Sequence, residues 1–312
     1  MGVSPLGRVA KDYAPGANRL VRQTCLEVAT RLGDFRDEVC VVGGLVPSLI
    51  IPESELREGE EAHVGTIDLD LGFSLAILDQ AMYEEIARRL SEGGFAPDRN
   101  EMGNATSQRW KSSSGVTVDF LMPPAHADDT GGRLRNLDKH LAAFIIPGLE
   151  LAFRDSSLVT VEDHLPTGGK ATRQIRVCGP AAFTVLKVLA FGNRGKPKDA
   201  YDLYYLLRHH ALGAEAIGAR IAGWGAHRHI EVAFHVLIRD FRDPQHVGPV
   251  RVAQFLGGSN ESTAFCTIRV VHSPQRTQRP QRGHRAETTH LTRRERTWSP
   301  PFQGLVQGFV QG

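Results

Sequence analysis

The stretch Thr66-Ile67-Asp68-Leu69-Asp70-Leu71 alternates apolar and polar side chains at a period of two. An extended strand turns that alternation into two faces, because successive side chains of a strand point to opposite sides of a sheet. Ile67, Leu69 and Leu71 then share a face that joins a core, while Thr66, Asp68 and Asp70 share the other. Carboxylates at i and i+2 of a strand stand roughly 7 Å apart and repel when both are ionised, unless something positive lies between them. A divalent cation removes the conflict. Hard oxygen ligands of this kind suit Mg²⁺ (or Mn²⁺), with substrate phosphates and water completing the shell.

An Asp-x-Asp strand is by itself more often a solvated face than a metal site, so its surroundings decide. Val116-Thr117-Val118-Asp119-Phe120 supplies a third acid on a second apolar-flanked strand, with Arg109 and Lys111 expected on its hairpin partner. Upstream, the β-branched run Val39–Val42 breaks at Gly43-Gly44 and resumes as a helical segment from Leu45 to Ile51. Backbone N–H groups at such a turn and helix start can cradle phosphate oxygens. Strand, glycine turn, helix, strand with two acids and strand with a third form an order that chance rarely assembles.

The rest of the chain is organised around this core. Apolar spacing predicts an amphipathic helix from Ala17 to Leu32, stopped by Gly33. A second helix is expected from about Leu75 to Leu90. The Pro-, Ala-, Asp- and Gly-rich run from Pro123 to Gly132 marks a seam, and Phe144 to Arg176 alternates short apolar runs with turns, as in a small antiparallel sheet. Gly179-Pro180 then opens a helical region, proline being favoured in a first turn. The expected fold class is α+β: a nucleotide-binding type of core over residues 1–125, a small β-rich segment completing it over 126–178, and a helical domain over 179–256. Residues 257–312 lose periodicity, gather Pro, Gln, Arg, Ser and Thr, and read as a disordered basic tail.

These segments carry a family resemblance. Val41-Val42-Gly43-Gly44, His63 to Leu71, Val118-Asp119-Phe120, and Lys187 followed by Lys196-Pro-Lys198-Asp199-Ala-Tyr-Asp202-Leu together resemble the polymerase-β-type nucleotidyltransferases, specifically the AbiEii/AbiGii type IV toxin-like branch. The likeness spans about residues 15 to 256, and differs in carrying Gly44 where many members have serine. It implies a polymerase-β-like core with a helical C-terminal domain, and transfer of a nucleoside monophosphate from an NTP to an acceptor hydroxyl. Asp68 and Asp70 would bind metals and triphosphate, and Asp119 would also activate the hydroxyl. Gly43, Gly44 and Thr66 would line the nucleotide site. The toxin branch further implies an RNA acceptor, such as a tRNA 3′ end, and a cognate antitoxin protein.

Lys187 stands alone in the apolar run Ala181 to Phe191. Its stem could carry the ammonium to the surface, whereas the resemblance makes it a triphosphate ligand. Lys198, Asp199 and Asp202 begin the next helix, where acids ordinarily serve the helix dipole and Lys198 pairs with Asp202 at i and i+4. Only the resemblance raises them to nucleotide or acceptor positioning.

Charge bears on the acceptor. From Arg269 onward there are eight Arg against Glu287 and Glu295, a surplus of +6, which leaves −4 of the total +2 for the residues before it. A broad nucleic-acid surface shows a basic body, and this body is mildly acidic. A small hydroxylated molecule or a protein side chain therefore stands beside RNA as acceptor, and a nucleotide-binding module without chemistry stands beside an enzyme. The Glu53–Glu61 segment is acidic and is expected to point away from the phosphates.

Other signals carry little. Cys25, Cys40, Cys178 and Cys266 form no CxxC pair, so buried free thiols are expected. Gly168-Gly169-Lys170 lacks the first P-loop glycine, and His227, His229 and His235 complete no HExxH motif. No apolar run is long enough to span a bilayer and no leader is evident, which places the chain in the cytoplasm by expectation.

Overall fold

In the computed structural model, which describes residues 9–14, 16–74, 80–126 and 128–257, helix α1 (Ala17–Leu32) buries Val21, Cys25, Leu26, Val28 and Leu32. It stops at Gly33, whose φ of 56° is cheap only for glycine. Strand β1 (Val39–Val42) is buried along its whole length and enters a tight turn, Gly43–Leu45, that leads into the short helix α2 (Val46–Ile50). Strand β2 (Asp68–Phe73) follows, then helix α3 (Gln80–Glu92), β3 (Ala96–Arg99), β4 (Ala105–Lys111) and β5 (Thr117–Met122). Next come β6 (Leu134–Asn136), β7 (Ala142–Ile145), helix α4 (Glu150–Arg154), β8 (Ser156–His164) and β9 (Lys170–Cys178). Helices α5 (Pro180–Arg194), α6 (Pro197–His209), α7 (Gly213–Ala222), α8 (Arg228–Phe241) and α9 (Val247–Leu256) complete the described chain.

Among the described residues the strands form one mixed sheet in the order β3-β4-β5-β2-β1-β9-β8, with β7 joining β5 and β6 joining β7. The pairs β2–β5, β1–β9 and β5–β7 are parallel; β1–β2, β3–β4, β4–β5, β6–β7 and β8–β9 are antiparallel. Central strands must be apolar on both faces, and β1 is. Strand β2 is the exception: Leu69, Leu71 and Phe73 are buried, whereas Asp68 and Asp70 are only half-buried on the other side. That break in an otherwise closed layer places the site. The fold is α+β, a mixed sheet with flanking helices followed by a helical C-terminal region.

The strand begins two residues later than its alternation implies. Thr66 and Ile67 precede it, and Ile67 is 38% exposed rather than part of the core. The reason is local: Thr66 is buried and donates its hydroxyl to Asp68 at 2.6 Å, so the chain is committed to a bend before pairing starts. The expected hairpin partner of the Asp119 strand is β4, with Arg109 opposite Asp119 and Lys111 opposite Thr117. The β8–β9 hairpin turns at Gly168-Gly169, both with positive φ. It is antiparallel internally and joins the main sheet through β9 and β1. Residues 75–79, at the start of the expected second helix, and 258–312, the expected disordered basic tail with Cys266, lie outside the described residues.

The helical region is anchored at Gly179. The Asp155 carboxylate accepts the N–H groups of Ala181 and Ala182, both at 2.9 Å, and pairs with Arg220 at 2.7 Å. It thereby satisfies donors that the first turn of α5 leaves open. A Cβ on residue 179 would lie 2.6 Å from the Asp155 Cγ, so glycine is required there. Helix α5 is buried over most of its length and packs on α6 and α8. No helix among the described residues is long and apolar enough to cross a membrane.

Candidate active site

Three strands bring the charges together by register alone. Asp70 of β2 is level with Asp119 of β5, and Asp119 is level with Arg109 of β4. Aligned residues on neighbouring strands lie about 5 Å apart and point the same way, so the row reads cation, acid, acid. Asp68, one pleat away, is level with Thr117. Burial and the nearby Asp68 and Asp119 carboxylates push the Asp70 carboxyl up to about 8, against the opposing pull of Lys187 and Arg194. Three acids are thus concentrated until one of them retains its proton near neutrality.

The glycine turn closes over them. Gly43 has φ of 73°, and a Cβ there would lie 1.8 Å from Asp70 Oδ2. A Cβ at Gly44 would lie 2.7 Å from Thr66 Oγ1. A serine at this position would therefore collide with Thr66 unless the threonine moved. Backbone therefore approaches the carboxylates at a distance that no side chain permits.

Arg109 grips Asp119 with two parallel bonds, Nε to Oδ1 and Nη2 to Oδ2, both 2.6 Å. These bonds raise the arginine pKa further above its ordinary range, and Asp68 and Asp70 add to the effect. Among the described residues no three His, Cys, Asp or Glu side chains are gathered in metal-binding geometry. Both oxygens of Asp119 are instead engaged by the Arg109 guanidinium, which supplies positive charge beside the acids.

The helical region presents a second cluster. Lys187 is buried, and its ammonium lies 2.8 Å from Asp202 and 3.2 Å from Asp199. Burial works against that charge, but Asp202 and Asp199 overcome it and raise the pKa. Lys198 also bonds Asp202, and His63 meets the same carboxylate at 2.8 Å. The His63 Nδ1 accepts the Gly65 N–H at 3.1 Å, so Nε2 carries the proton it donates to Asp202. Burial and the neighbouring Lys198 push His63 down to about 4, which keeps it neutral. The stem of Lys187 does not carry its charge out to solvent, and Asp199 and Asp202 are not simple helix-start acids: they hold a buried ion network together.

Arg194 links this network to the sheet. It grips Asp199 with bonds of 2.6 and 2.8 Å, remains half exposed, and is close enough to Asp70 and Asp68 for each to raise its pKa after the dominant bond to Asp199. Lys187 and Arg194 thus both act on the carboxylates, and of the two Lys187 pulls the harder on Asp70. Sequence reasoning placed Arg109 on its hairpin without a role, quoted His63 only as part of a segment, and missed Arg194. A signal for Arg194 exists: it follows Lys187 by seven residues, two turns along the same helix face.

Glu60 pairs with Arg208 at 3.4 Å and His209 at 3.1 Å, which ties the acidic segment to the C-terminal end of α6, opposite the end bearing Lys198 and Asp199. His227 pairs with Glu150 at 3.3 Å. Cys25, Cys40 and Cys178 are free and buried. Apolar hollows under α1 and between α5, α7 and α8 are gaps in the core, away from the carboxylates.

The chain belongs to a family of nucleotidyltransferases, whose model matches residues 22–206. That span runs from α1 into α6 and contains both glycines, the three aspartates, Arg109, Lys187, Arg194, Asp199 and Asp202. Among solved structures, an antigenic nucleotidyltransferase-like protein from Paracoccidioides brasiliensis is similar at 11% identity, over 72% of this chain and 90% of that one, with a TM-score of 0.38. No curated protein matches.

Proposed function

We propose that this nucleotidyltransferase is metal-dependent and moves a nucleoside monophosphate from an NTP to an acceptor hydroxyl in the cytoplasm. The observation that supports this best is the register of Asp70 and Asp119 on adjacent parallel strands, with Asp68 on the same face and Lys187 and Arg194 near enough to draw on Asp70. The acids fit the ion on two grounds: their oxygens are hard donors, and a guanidinium already stands in for a cation at Asp119. Asp68, Asp70 and Asp119 would hold Mg²⁺ or Mn²⁺, which when bound neutralises and orients the triphosphate.

The chain's own groups supply the rest. Gly43 and Gly44 bring backbone against the triphosphate side of Asp70, and Thr66 fixes Asp68 by its hydroxyl bond. Arg194 meets the phosphates, held at its angle by Asp199, while Lys187, Lys198 and Asp202 keep Asp199 in place and supply positive charge behind it. Asp119 takes the proton of the attacking hydroxyl. The hydroxyl oxygen bonds to the α-phosphorus, the bond to the bridging oxygen breaks, and pyrophosphate leaves.

The AbiEii/AbiGii resemblance extends the proposal to RNA, with a tRNA 3′ end as acceptor, a toxin role and a cognate antitoxin. Incubating the protein with each NTP labelled at the α-phosphate, Mg²⁺ and either total tRNA, total protein or aminoglycosides tests both levels. Label in tRNA that vanishes in Asp68→Asn supports the RNA acceptor. Label in protein or aminoglycoside keeps the transferase and replaces its acceptor. No transfer to any of them, with NTP binding unchanged in Asp68→Asn, overturns the enzyme.

A further inference from the structure

The fork of Arg109 on Asp119 is more than a strand-pairing contact. A salt bridge that only joins β4 to β5 could stand anywhere along the hairpin, yet this one falls on the carboxylate level with Asp70. It engages both oxygens of Asp119 at 2.6 Å and leaves neither facing the other acids without a guanidinium beside it. The two partners differ in freedom: the Arg109 side chain is 44% exposed and the Asp119 side chain 9%. The acid is fixed in the sheet, while the arginine can swing into solvent.

We propose that Arg109 is a built-in counter-cation, which holds Asp119 in the metal-free protein and competes with the divalent ion for that carboxylate. This rests on Asp68, Asp70 and Asp119 being the metal ligands of the reaction above. Without an ion, Arg109 supplies the positive charge beside Asp119 that the crowded acids otherwise lack. When the ion enters, its charge would replace that of the guanidinium, and the half-exposed Arg109 side chain would swing away from the fixed Asp119 into solvent. Asp119 is thereby unavailable as a base until metal and nucleotide arrive, so the site is silent when empty.

The test measures Mn²⁺ binding without nucleotide, by the loss of the free-ion electron paramagnetic resonance signal, in the wild type, Arg109→Gln and Arg109→Ala. Removing the competitor tightens Mn²⁺ binding by about ten-fold, equivalent to about 1.4 kcal/mol. The melting temperature in EDTA falls in both variants, and saturating Mn²⁺ raises it by more than in the wild type. Equal or weaker Mn²⁺ affinity in a folded variant overturns the proposal and leaves Arg109 as a structural partner. If the alanine variant does not fold, the glutamine variant, which keeps a donor for Asp119, decides alone. Asp70→Asn separates the two levels. Wild-type Mn²⁺ binding unaffected by Asp70→Asn removes the metal site itself, whereas binding that needs Asp70 but ignores Arg109 removes only the counter-cation.

Discussion

Replacing Lys187 with methionine is the sharpest probe of the helical half, because it keeps the stem's bulk and deletes only the charge. Lys187 sits between Asp199 and Asp202, both almost completely buried, so its loss leaves acidic charge in a medium that solvates it poorly. Removing one partner of a buried ion pair typically costs 3–5 kcal/mol, and the lower end, about 3 kcal/mol, applies here. Asp199 retains both bonds from Arg194, and Asp202 retains Lys198 and His63. In a protein with a stability of order 5–15 kcal/mol the loss is large, and for a domain of this size it lowers the melting temperature by roughly 6–12 °C. Urea unfolding followed by far-ultraviolet circular dichroism measures it, with an unchanged m-value showing that the same surface is exposed. Adding Asp202→Asn to Lys187→Met removes the stranded charge and recovers part of the loss. A cost below about 1 kcal/mol, the range of an exposed pair, would refute the buried network.

Three further outcomes follow from the same contacts. His63 is held near 4 against about 6.5 in an unfolded chain, so between those values the unfolded state binds more protons. Stability therefore falls as pH drops from about 6.5 to 4, by about 3 kcal/mol in all, and His63→Gln flattens that slope in a pH series of urea titrations. Gly43→Ala combines a positive φ with a Cβ 1.8 Å from Asp70. It lowers stability by about 1–3 kcal/mol and abolishes transfer, read from melting curves and product formation. Asp155→Ala uncaps α5 and strands Arg220; it costs about 2 kcal/mol in urea unfolding while Mn²⁺ affinity stays at the wild-type value.

The sheet was legible because its signals are local. The run Val39–Val42, the break at Gly43-Gly44 and the alternation through Leu71 each specify a conformation without help from distant residues. The same holds for α1, which starts at Ala17 and stops at Gly33 as its spacing requires. What escaped was partnership across the chain. Arg109 and Arg194 are ordinary in composition, and their meaning comes from register and packing: Arg109 matters because β4 sets it level with Asp119, Arg194 because it grips Asp199 within electrostatic reach of Asp70 and Asp68. Lys187 drew notice as a cation in an apolar helix, but the carboxylates that hold it there stand twelve and fifteen residues further on, in another helix. His63 lies 139 residues from Asp202, a separation over which no periodicity speaks. The late start of β2 followed from a hydroxyl bond within three residues, which alternation alone does not reveal.

In the proposed reaction the acids of β2 and β5 direct transfer of a nucleotide, not of a terminal phosphate, with a divalent ion. Parallel reactions with NTP labelled at the α- or at the γ-phosphate, in Mg²⁺ and in EDTA, examine it with one readout. Under the proposed reaction α-label joins the acceptor and γ-label is released as pyrophosphate, both abolished by EDTA and by Asp68→Asn or Asp119→Asn. Transfer of the γ-label, or α-label transfer that persists in EDTA or in either variant, would contradict it.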